Sequence, residues 1–241
     1  MLQRMLAGGL IAGFAAGLLG VLLHFAFVQQ KILLGEEYET GAVVHFAGAS
    51  GAEAHDASHE ASHDTAHEHE HEGSQPGDAA RNALTVLFTG LIYAGYGLVL
   101  VAGFALAEHF GQKITPPVAL LWGIAGFVTF QLAPAMGLAP ELPGTIAADL
   151  GLRQVWWLAT VLATAAGLAL LAYGRGVWAW VAAGALLAAP HGVGAPHLDE
   201  FFGSAPPELA AEFAARVLGV GLATWAALGW LAGRFWTREA G

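Results

Sequence analysis

The sequence predicts an all-α integral membrane protein. Of its 241 residues, 56% are hydrophobic and only 12% are charged, and the mean hydropathy is +0.57. Uncharged apolar runs recur along the chain, and a run of about 18 or more such residues is long enough to cross a bilayer as a helix. A soluble protein would need polar residues every few positions to face water, and whole segments here have none.

The apolar runs predict about six transmembrane helices, with five as the alternative. In the first span, Gly9, Gly13 and Gly17 fall four residues apart, so they share one helix face and let another helix approach closely. A cleaved signal peptide is the alternative for this segment, but its apolar stretch is longer than the ~7–15 residues of a signal core. The six predicted spans are 6–28, 83–107, 116–139, 155–173, 177–190 and 214–233.

The choice between six and five depends on the span at 177–190. It has fourteen residues and ends at Pro190, just before His191, whereas a crossing helix needs about 20 residues. The segment therefore continues to about Ala195, tilts, or stops partway as a re-entrant segment. The predicted organisation is a first transmembrane helix in 1–35, a polar histidine-rich metal-binding loop in 36–82, and a bundle of about five helices in 83–241.

Charge and cysteine content exclude several functions. The net charge is −10, and eleven of the nineteen acidic residues lie between Glu36 and Asp78. No basic stripe is present to neutralise phosphates, so nucleic acid is excluded as a partner. The chain has no cysteine, which removes disulfides and thiolate metal sites. Any metal must be held by imidazole, carboxylate, thioether or backbone oxygen.

The basic residues predict the orientation. With six spans, five of the nine Lys and Arg residues share the side of the termini and four lie on the other side. The positive-inside rule then places both termini in the cytoplasm and the loop after the first span outside. The predicted location is the cell inner (cytoplasmic) membrane, as a multi-pass protein in contact with the lipid bilayer.

The stretch "HDASHEASHDTAHEHEHE", residues 55–72, alternates histidines with carboxylates. It is too polar to bury a helix face, so we expect a disordered loop. Imidazole suits Zn, Cu, Ni and Co, and the carboxylates add charge attraction and oxygen ligands. We interpret the tract as a capture loop for divalent metal; a solvated low-complexity loop without a specific task is the alternative. Its predicted ligands are His55, His59, His63, His67, His69 and His71.

Polar groups within or near the spans are the next candidates, because they are costly in a membrane. His24 lies near the outer end of the first span. Gln131 and Pro134 lie in "TFQLAPAMGLAPELPG", where prolines break the helix, and Glu141 follows. Irregular backbone at membrane depth persists only where it is buried in protein or lines a wet cavity, which predicts a path here. A helix end with a proline turn is the alternative.

A second concentration of metal ligands lies in "APHGVGAPHLDEFFGSAPPEL", residues 189–209. The stretch supplies two imidazoles and two carboxylates within ten residues, from His191, His197, Asp199 and Glu200. Glycines between them allow tight turns, so the stretch predicts a metal site. A plain polar connection is the alternative. In "LRQVWW", residues 152–157, Arg153 begins a span, and the two tryptophans lie at the depth where aromatic belts form, which indicates interfacial anchoring. The alternative is that Arg153 pairs with Asp149 or Glu141 and orients the site.

These stretches resemble the CbtA family of probable cobalt transporter subunits over nearly the whole chain. The resemblance is carried by "GEEYE" (35–39), "RNALT" (81–85), "WGIAGFVTFQLAPAMGLAPELPG" (122–144), "ADLGLRQVWW" (148–157), "PHGVGAPH" (190–197) and "PPELAAEFA" (206–214). It implies a role in cobalt uptake beside a small single-span histidine-bearing partner, CbtB. The 55–72 tract looks like an elaboration outside the shared motifs.

The expected function is a transport subunit for divalent cobalt, with nickel as a second candidate and no tightly bound cofactor. The alternative is a metal-binding membrane sensor or chaperone that does not translocate the ion. Haem held by His24 and His191 is a third possibility that needs the two rings to face each other. No G-x-x-x-x-G-K-[ST] motif and no nucleophile–base constellation is present, so we expect neither ATP hydrolysis nor an enzyme.

Overall fold

The computed structural model describes residues 2–44, 78–200 and 202–239, and helices dominate these ranges. The helices are α1 Leu2–Phe27, α2 Gln29–Glu39, α3 Asp78–His109, α4 Pro116–Phe127, α5 Ala133–Ala135, α6 Leu150–Tyr173, α7 Val177–Val193 and α8 Pro207–Glu239, with a π-helical segment at Val128–Leu132. The described part contains no strand, only an isolated bridge between Thr145 and Gly203. The all-α prediction is confirmed.

Five helices are long and apolar enough to cross a membrane, judged by length and composition. They are Met5–Phe27, Ala79–His109, Pro116–Ala135, Leu150–Tyr173 and Pro207–Arg238. The sixth apolar helix, α7, has 17 residues, or about 25 Å at 1.5 Å per residue, somewhat less than the ~30 Å hydrocarbon core. The chain is therefore a multi-pass membrane protein.

The short helix α7 runs antiparallel along α6 for nearly its whole length. Gly174, just after α6, lies against Ala179, and Gly167 lies against Leu187. Near the start of α6, the indole Nε1 of Trp156 donates to the Pro190 carbonyl at 3.1 Å. We call α6 and α7 the hairpin. Because α7 continues past Pro190 to Val193, it returns the chain to the end of the molecule where α6 began, as the six-span prediction requires.

The other long helices, α1, α3, α4 and α8, pack closely, and we call them the four-helix body. A Cβ on Gly13 would lie 2.6 Å from the Ala94 Cα and overlap the Tyr93 carbonyl oxygen. Gly9 and Gly17 also contact α3, so the predicted glycine stripe is confirmed as a close helix contact. A second close contact joins α4 and α8, where a Cβ on Gly229 would lie 2.8 Å from the Gly123 Cα.

Several connections meet at one end of the molecule, which we call the capped end; it comprises α2, residues 136–149 and residues 194–206. Gly35 of α2 lies against Leu142, and the Ile146 amide donates to the Phe202 carbonyl at 3.2 Å. Arg81, near the start of α3, pairs with Glu36 of α2 at 3.3 Å. The opposite end, the terminal end, carries residues 110–115 and 174–176 together with the start of α1 and the end of α8.

Some boundaries differ from those predicted. The predicted loop at 36–82 begins within α2, and α3 begins at Asp78, before the predicted span at 83. Helix α2 forms there because Val28, Leu142, Leu209 and Phe213 build a small apolar cluster against it. Two spans also begin earlier, α6 at Leu150 and α8 at Pro207, since the first turns of both helices extend into the capped end.

Candidate functional site

The helix that carries Gln131 changes its winding there. After Phe127 the α4 helix continues as the π-helical segment Val128–Leu132 and then as the short helix α5. Pro134, buried in α5, has no backbone N–H and cannot donate to the carbonyl one turn before it. Single-turn π-helical insertions accommodate such interruptions and are frequent at functional sites. The predicted irregularity is present as the π-helical segment. The chain nevertheless stays helical through Pro134, and the helix ends at Ala135.

A cavity of about 430 Å³, which we call the junction pocket, lies where this segment meets α6 and α8. It combines four residues that the sequence predicted for a site or path: Gln131, Pro134, Glu141 and Arg153. Its remaining lining residues are Phe130, Ala135, Leu138, Ala139, Pro140, Leu150, Gln154, Trp157, Val217 and Leu218. The pocket is therefore mainly apolar, and its polar side chains are those of Glu141, Arg153, Gln131 and Gln154.

One polar side of the junction pocket is an ion pair. Arg153 Nη2 donates to Glu141 Oε2 at 2.8 Å, and the two side chains are 25% and 35% exposed. Asp149 has a different role, since its Oδ1 accepts from the Leu152 amide at 3.0 Å and caps α6. Of the two partners predicted for Arg153, the structure selects Glu141, and Asp149 does not line the junction pocket.

Gln131 is another polar residue in the lining of the junction pocket. Its Oε1 is buried and accepts no hydrogen bond within the described residues. The same oxygen lies against Gly221 of α8, where a Cβ would overlap it. The Tyr93 side chain lies beside Gln131 and Thr224, and Thr224 is fully buried with its hydroxyl donating to the Val220 carbonyl at 2.8 Å. An unpaired amide oxygen at membrane depth is costly and is a functional candidate by default.

The predicted histidines are arranged differently. His191 packs edge-on against Trp156, with ring centroids 6.1 Å apart. His197 and Asp199 are exposed in the 194–206 connection, and His197 Nδ1 lies 3.0 Å from the Leu198 carbonyl. His24 is half-buried on α1 against Phe25. Within residues 2–44, 78–200 and 202–239, no three His, Asp or Glu side chains group closely enough to hold a metal ion.

Two further expectations concern histidine. The 55–72 tract, with all six of its histidines, lies outside the described residues. The described chain on either side of it, at Val44 and Asp78, lies at the capped end, as do Glu141 and His197. The haem possibility has no support, because α1 packs on α2, α3 and α8, whereas α7 packs on α6.

Sequence reasoning missed Tyr93, Thr224 and Gly221. A signal existed for the first: Tyr93 and Tyr96 are polar aromatic residues three apart inside a predicted span. Thr224 and Gly221 had no local signal, because both are common in membrane helices and their partner lies about ninety positions earlier. Their contact with Gln131 depends on how α8 packs against the π-helical segment.

Comparisons with known proteins give one match. Residues 2–237 match the family model described as "Probable cobalt transporter subunit (CbtA)". No curated protein and no solved structure matches the chain. The matched range contains α1 to α7, all but the last two residues of α8, and the junction pocket.

Proposed function

The chain belongs to the CbtA family of probable cobalt transporter subunits, and from that membership we propose that it admits Co²⁺ across the cytoplasmic membrane through the junction pocket. The observation that carries the proposal is that Glu141, Arg153 and Gln131 line one pocket beside an irregular helix, and that the buried Gln131 Oε1 accepts no hydrogen bond within the described residues. A carboxylate and an amide oxygen replace part of the hydration shell of a divalent cation. Nickel, which takes the same donors, is the second candidate cargo.

Arg153 would balance the charge of Glu141 while the pocket is empty. A lone carboxylate in an apolar pocket carries a desolvation cost that its partner offsets. An incoming divalent cation competes with the guanidinium for Glu141, so loading requires Arg153 to move aside. The membrane potential supplies about 2.3 kcal/mol per elementary charge per 100 mV, and Co²⁺ gains twice that amount because it carries two charges.

The histidines would act before the junction pocket. We propose that both termini are cytoplasmic, so that the capped end and the 55–72 tract face outward. The tract would raise the local concentration of metal, and His24, His191, His197 and Asp199 would bind it weakly in passage. The small histidine-bearing protein CbtB is the proposed second subunit, and no tightly bound cofactor is required.

The test is uptake of radiolabelled Co²⁺ and Ni²⁺ by cells that lack their own carriers, with and without CbtB. We expect Glu141→Gln to reduce Co²⁺ uptake at least tenfold. The matched control is Glu212→Gln, because Glu212 is also ion-paired, with Lys31 at 2.8 Å, but does not line the junction pocket. Deletion of 55–72, and the double variant His191→Ala with His197→Ala, should raise the half-saturating concentration and leave the maximal rate unchanged.

Two results would overturn the proposal. If Glu141→Gln and Glu212→Gln behave alike, the junction pocket is not the path. If the intact chain moves neither metal, with or without CbtB, but still binds metal in membranes, the sensor or chaperone alternative replaces transport.

A further inference from the structure

A second and larger cavity separates the hairpin from the four-helix body. This groove, of about 820 Å³, lies between α6 on one side and α3 and α4 on the other. Its walls are mainly apolar, with Val99, Leu121 and Trp122 on the body and Leu162, Ala165 and Ala169 on the hairpin. The gap is present because the hairpin meets the body mainly at the π-helical segment and α5.

The two ends of the groove differ in chemistry. The end of the groove within the bundle is lined by the aromatic side chains of Tyr96, Phe130 and Trp225. Its opposite end, which we call the mouth, lies at the terminal end of the molecule and is lined by Gln112 and Lys113. Lys113 is exposed and forms no hydrogen bond or ion pair with any residue that the structure describes. The neighbouring carboxylate is already engaged, since Trp236 Nε1 donates to Glu108 Oε1 at 2.8 Å.

We propose that this groove holds an acyl chain of an anionic phospholipid, with the lipid phosphate at Lys113 and Gln112. An apolar gap in a bilayer fills with apolar atoms, because an empty one forfeits the dispersion contacts of its walls. A basic group at the mouth of an interhelical gap selects a negatively charged headgroup. The amide of Gln112 adds a hydrogen-bond donor to the phosphate oxygens.

The size of the groove favours a lipid chain over another protein helix. A helix about 10 Å across and 25 Å long occupies on the order of 2,000 Å³. The groove has about 820 Å³ and is open along its side, so a helix would be held mainly at its opening. An acyl chain is narrower than a helix and has no side chains to accommodate.

The lipid would touch the wall of the junction pocket. Phe130 lines both cavities, and its ring stacks on Trp225 with centroids 5.6 Å apart and planes 7° apart. An acyl chain that ends at Phe130 therefore supports the π-helical segment from the side opposite the junction pocket. Removing the lipid should loosen this segment without removing any polar group of the site.

The experiment counts lipids retained by the purified full-length chain in native mass spectrometry. The protein in mild detergent is given equal amounts of phosphatidylglycerol and phosphatidylcholine, without metal. We expect one phosphatidylglycerol to be retained in preference, and Lys113→Gln to weaken its retention about fivefold, the effect of one lysine on an anionic headgroup. Arg234→Gln is the charge control, since Arg234 is at the same end but stacks on Trp230 at 5.1 Å, outside the groove.

A second pair of variants tests the location. Ala169→Trp fills the groove and should abolish the retained lipid, whereas Ala166→Trp, on the same exposed helix but outside the groove lining, should leave it in place. Equal retention in these two variants would overturn the proposal, as would equal retention of the two lipids. A dimer that only Ala169→Trp dissociates would assign the groove to a second copy of the chain. None of these readouts depends on metal transport.

Discussion

Between α1 and α3 the backbones come so close that a Cβ on Gly13 would overlap the Tyr93 carbonyl oxygen. Between α4 and α6, by contrast, a groove of about 820 Å³ remains open. The first contact is made by the glycines of α1, whereas the groove is lined mostly by larger side chains, among them Leu121, Trp122 and Leu168. Glycines on one helix face let two backbones meet, and where larger side chains face each other the backbones stay apart. The hairpin is attached to the body at the π-helical segment, and the polar groups of the junction pocket collect at that attachment.

The two ends of the molecule show a related contrast. At the capped end all four basic side chains are ion-paired, Lys31 and Arg216 with Glu212, Arg81 with Glu36, and Arg153 with Glu141. At the terminal end, Lys113, Arg175, Arg234 and Arg238 form no ion pair with any described residue. This distribution of ion pairs agrees with the proposed orientation, in which the terminal end lies at the anionic cytoplasmic leaflet.

The largest effect is expected where the body is tightest. Gly13→Val would place side-chain atoms against the Tyr93 carbonyl and the Ala94 Cα, which lies 2.6 Å from the position of a Cβ. Because the obstacle is backbone, α1 and α3 must separate, and we expect a loss of at least about 3 kcal/mol in the free energy of unfolding. Thermal unfolding in detergent, followed by circular dichroism, measures it.

The matched control lies on the hairpin. Gly184 of α7 has no atom within 4 Å of the position of a Cβ, so Gly184→Val meets no obstacle. We expect a change within about 0.5 kcal/mol, set by helix propensity. If both variants lose stability equally, the body is not the tighter of the two units and the comparison fails.

An intermediate effect is expected at the attachment itself. Gly221→Ala would place a methyl group on the Gln131 Oε1 position, so the amide must rotate or the π-helical segment must shift. Alanine is otherwise the better helix former, and the fold should persist. We therefore expect Co²⁺ uptake to fall severalfold with little loss of stability. Gly219→Ala, with no atom within 4 Å, is the control, and equal uptake by both variants would remove Gln131 from the path.

These two glycines show how far sequence alone reaches. Gly13 was predictable, because Gly9, Gly13 and Gly17 repeat every four residues within one apolar run, and that period defines a helix face. Gly221 was not, because its importance comes from a contact with Gln131 on another helix. The number of apolar helices was predictable from hydropathy. For Arg153, the sequence offered two nearby carboxylates, Asp149 and Glu141, and could not choose between them.

The predicted metal ligands show what sequence spacing alone does not reveal. His191 and His197 are six residues apart, and their spacing suggested a common site. In the structure α7 ends between them at Val193, and Gly194 adopts a φ of +85° that L side chains rarely take. That turn leaves His191 against Trp156 while His197 is exposed in the following connection. The turn at Gly194 therefore gives the two side chains different surroundings, which their spacing alone does not reveal. A metal site shared by His191 and His197 stays a prediction.

The smallest effect is expected inside the hairpin, where a hydrogen bond joins the start of α6 to the end of α7. Trp156→Phe keeps an aromatic ring in place but removes the Nε1 donor to the Pro190 carbonyl, 3.1 Å away. That carbonyl still accepts from the Gly194 amide at 3.0 Å, so no buried acceptor is left unpaired. We expect a loss of about 0.6–1 kcal/mol, typical of a hydrogen bond between membrane helices.

Trp157→Phe is the control for that loss, because the Trp157 indole N–H has no hydrogen-bond partner within the described residues. Both variants shrink an indole to a phenyl ring, so the difference between their free energies of unfolding contains the hydrogen bond and the deeper burial of Trp156. Equal losses would show that ring packing alone closes the hairpin. A larger loss for Trp156→Phe would show that α7, short for a crossing helix, is held at the capped end by the carbonyl next to His191. In that case the position of His191 is fixed by hairpin closure, before any metal binds.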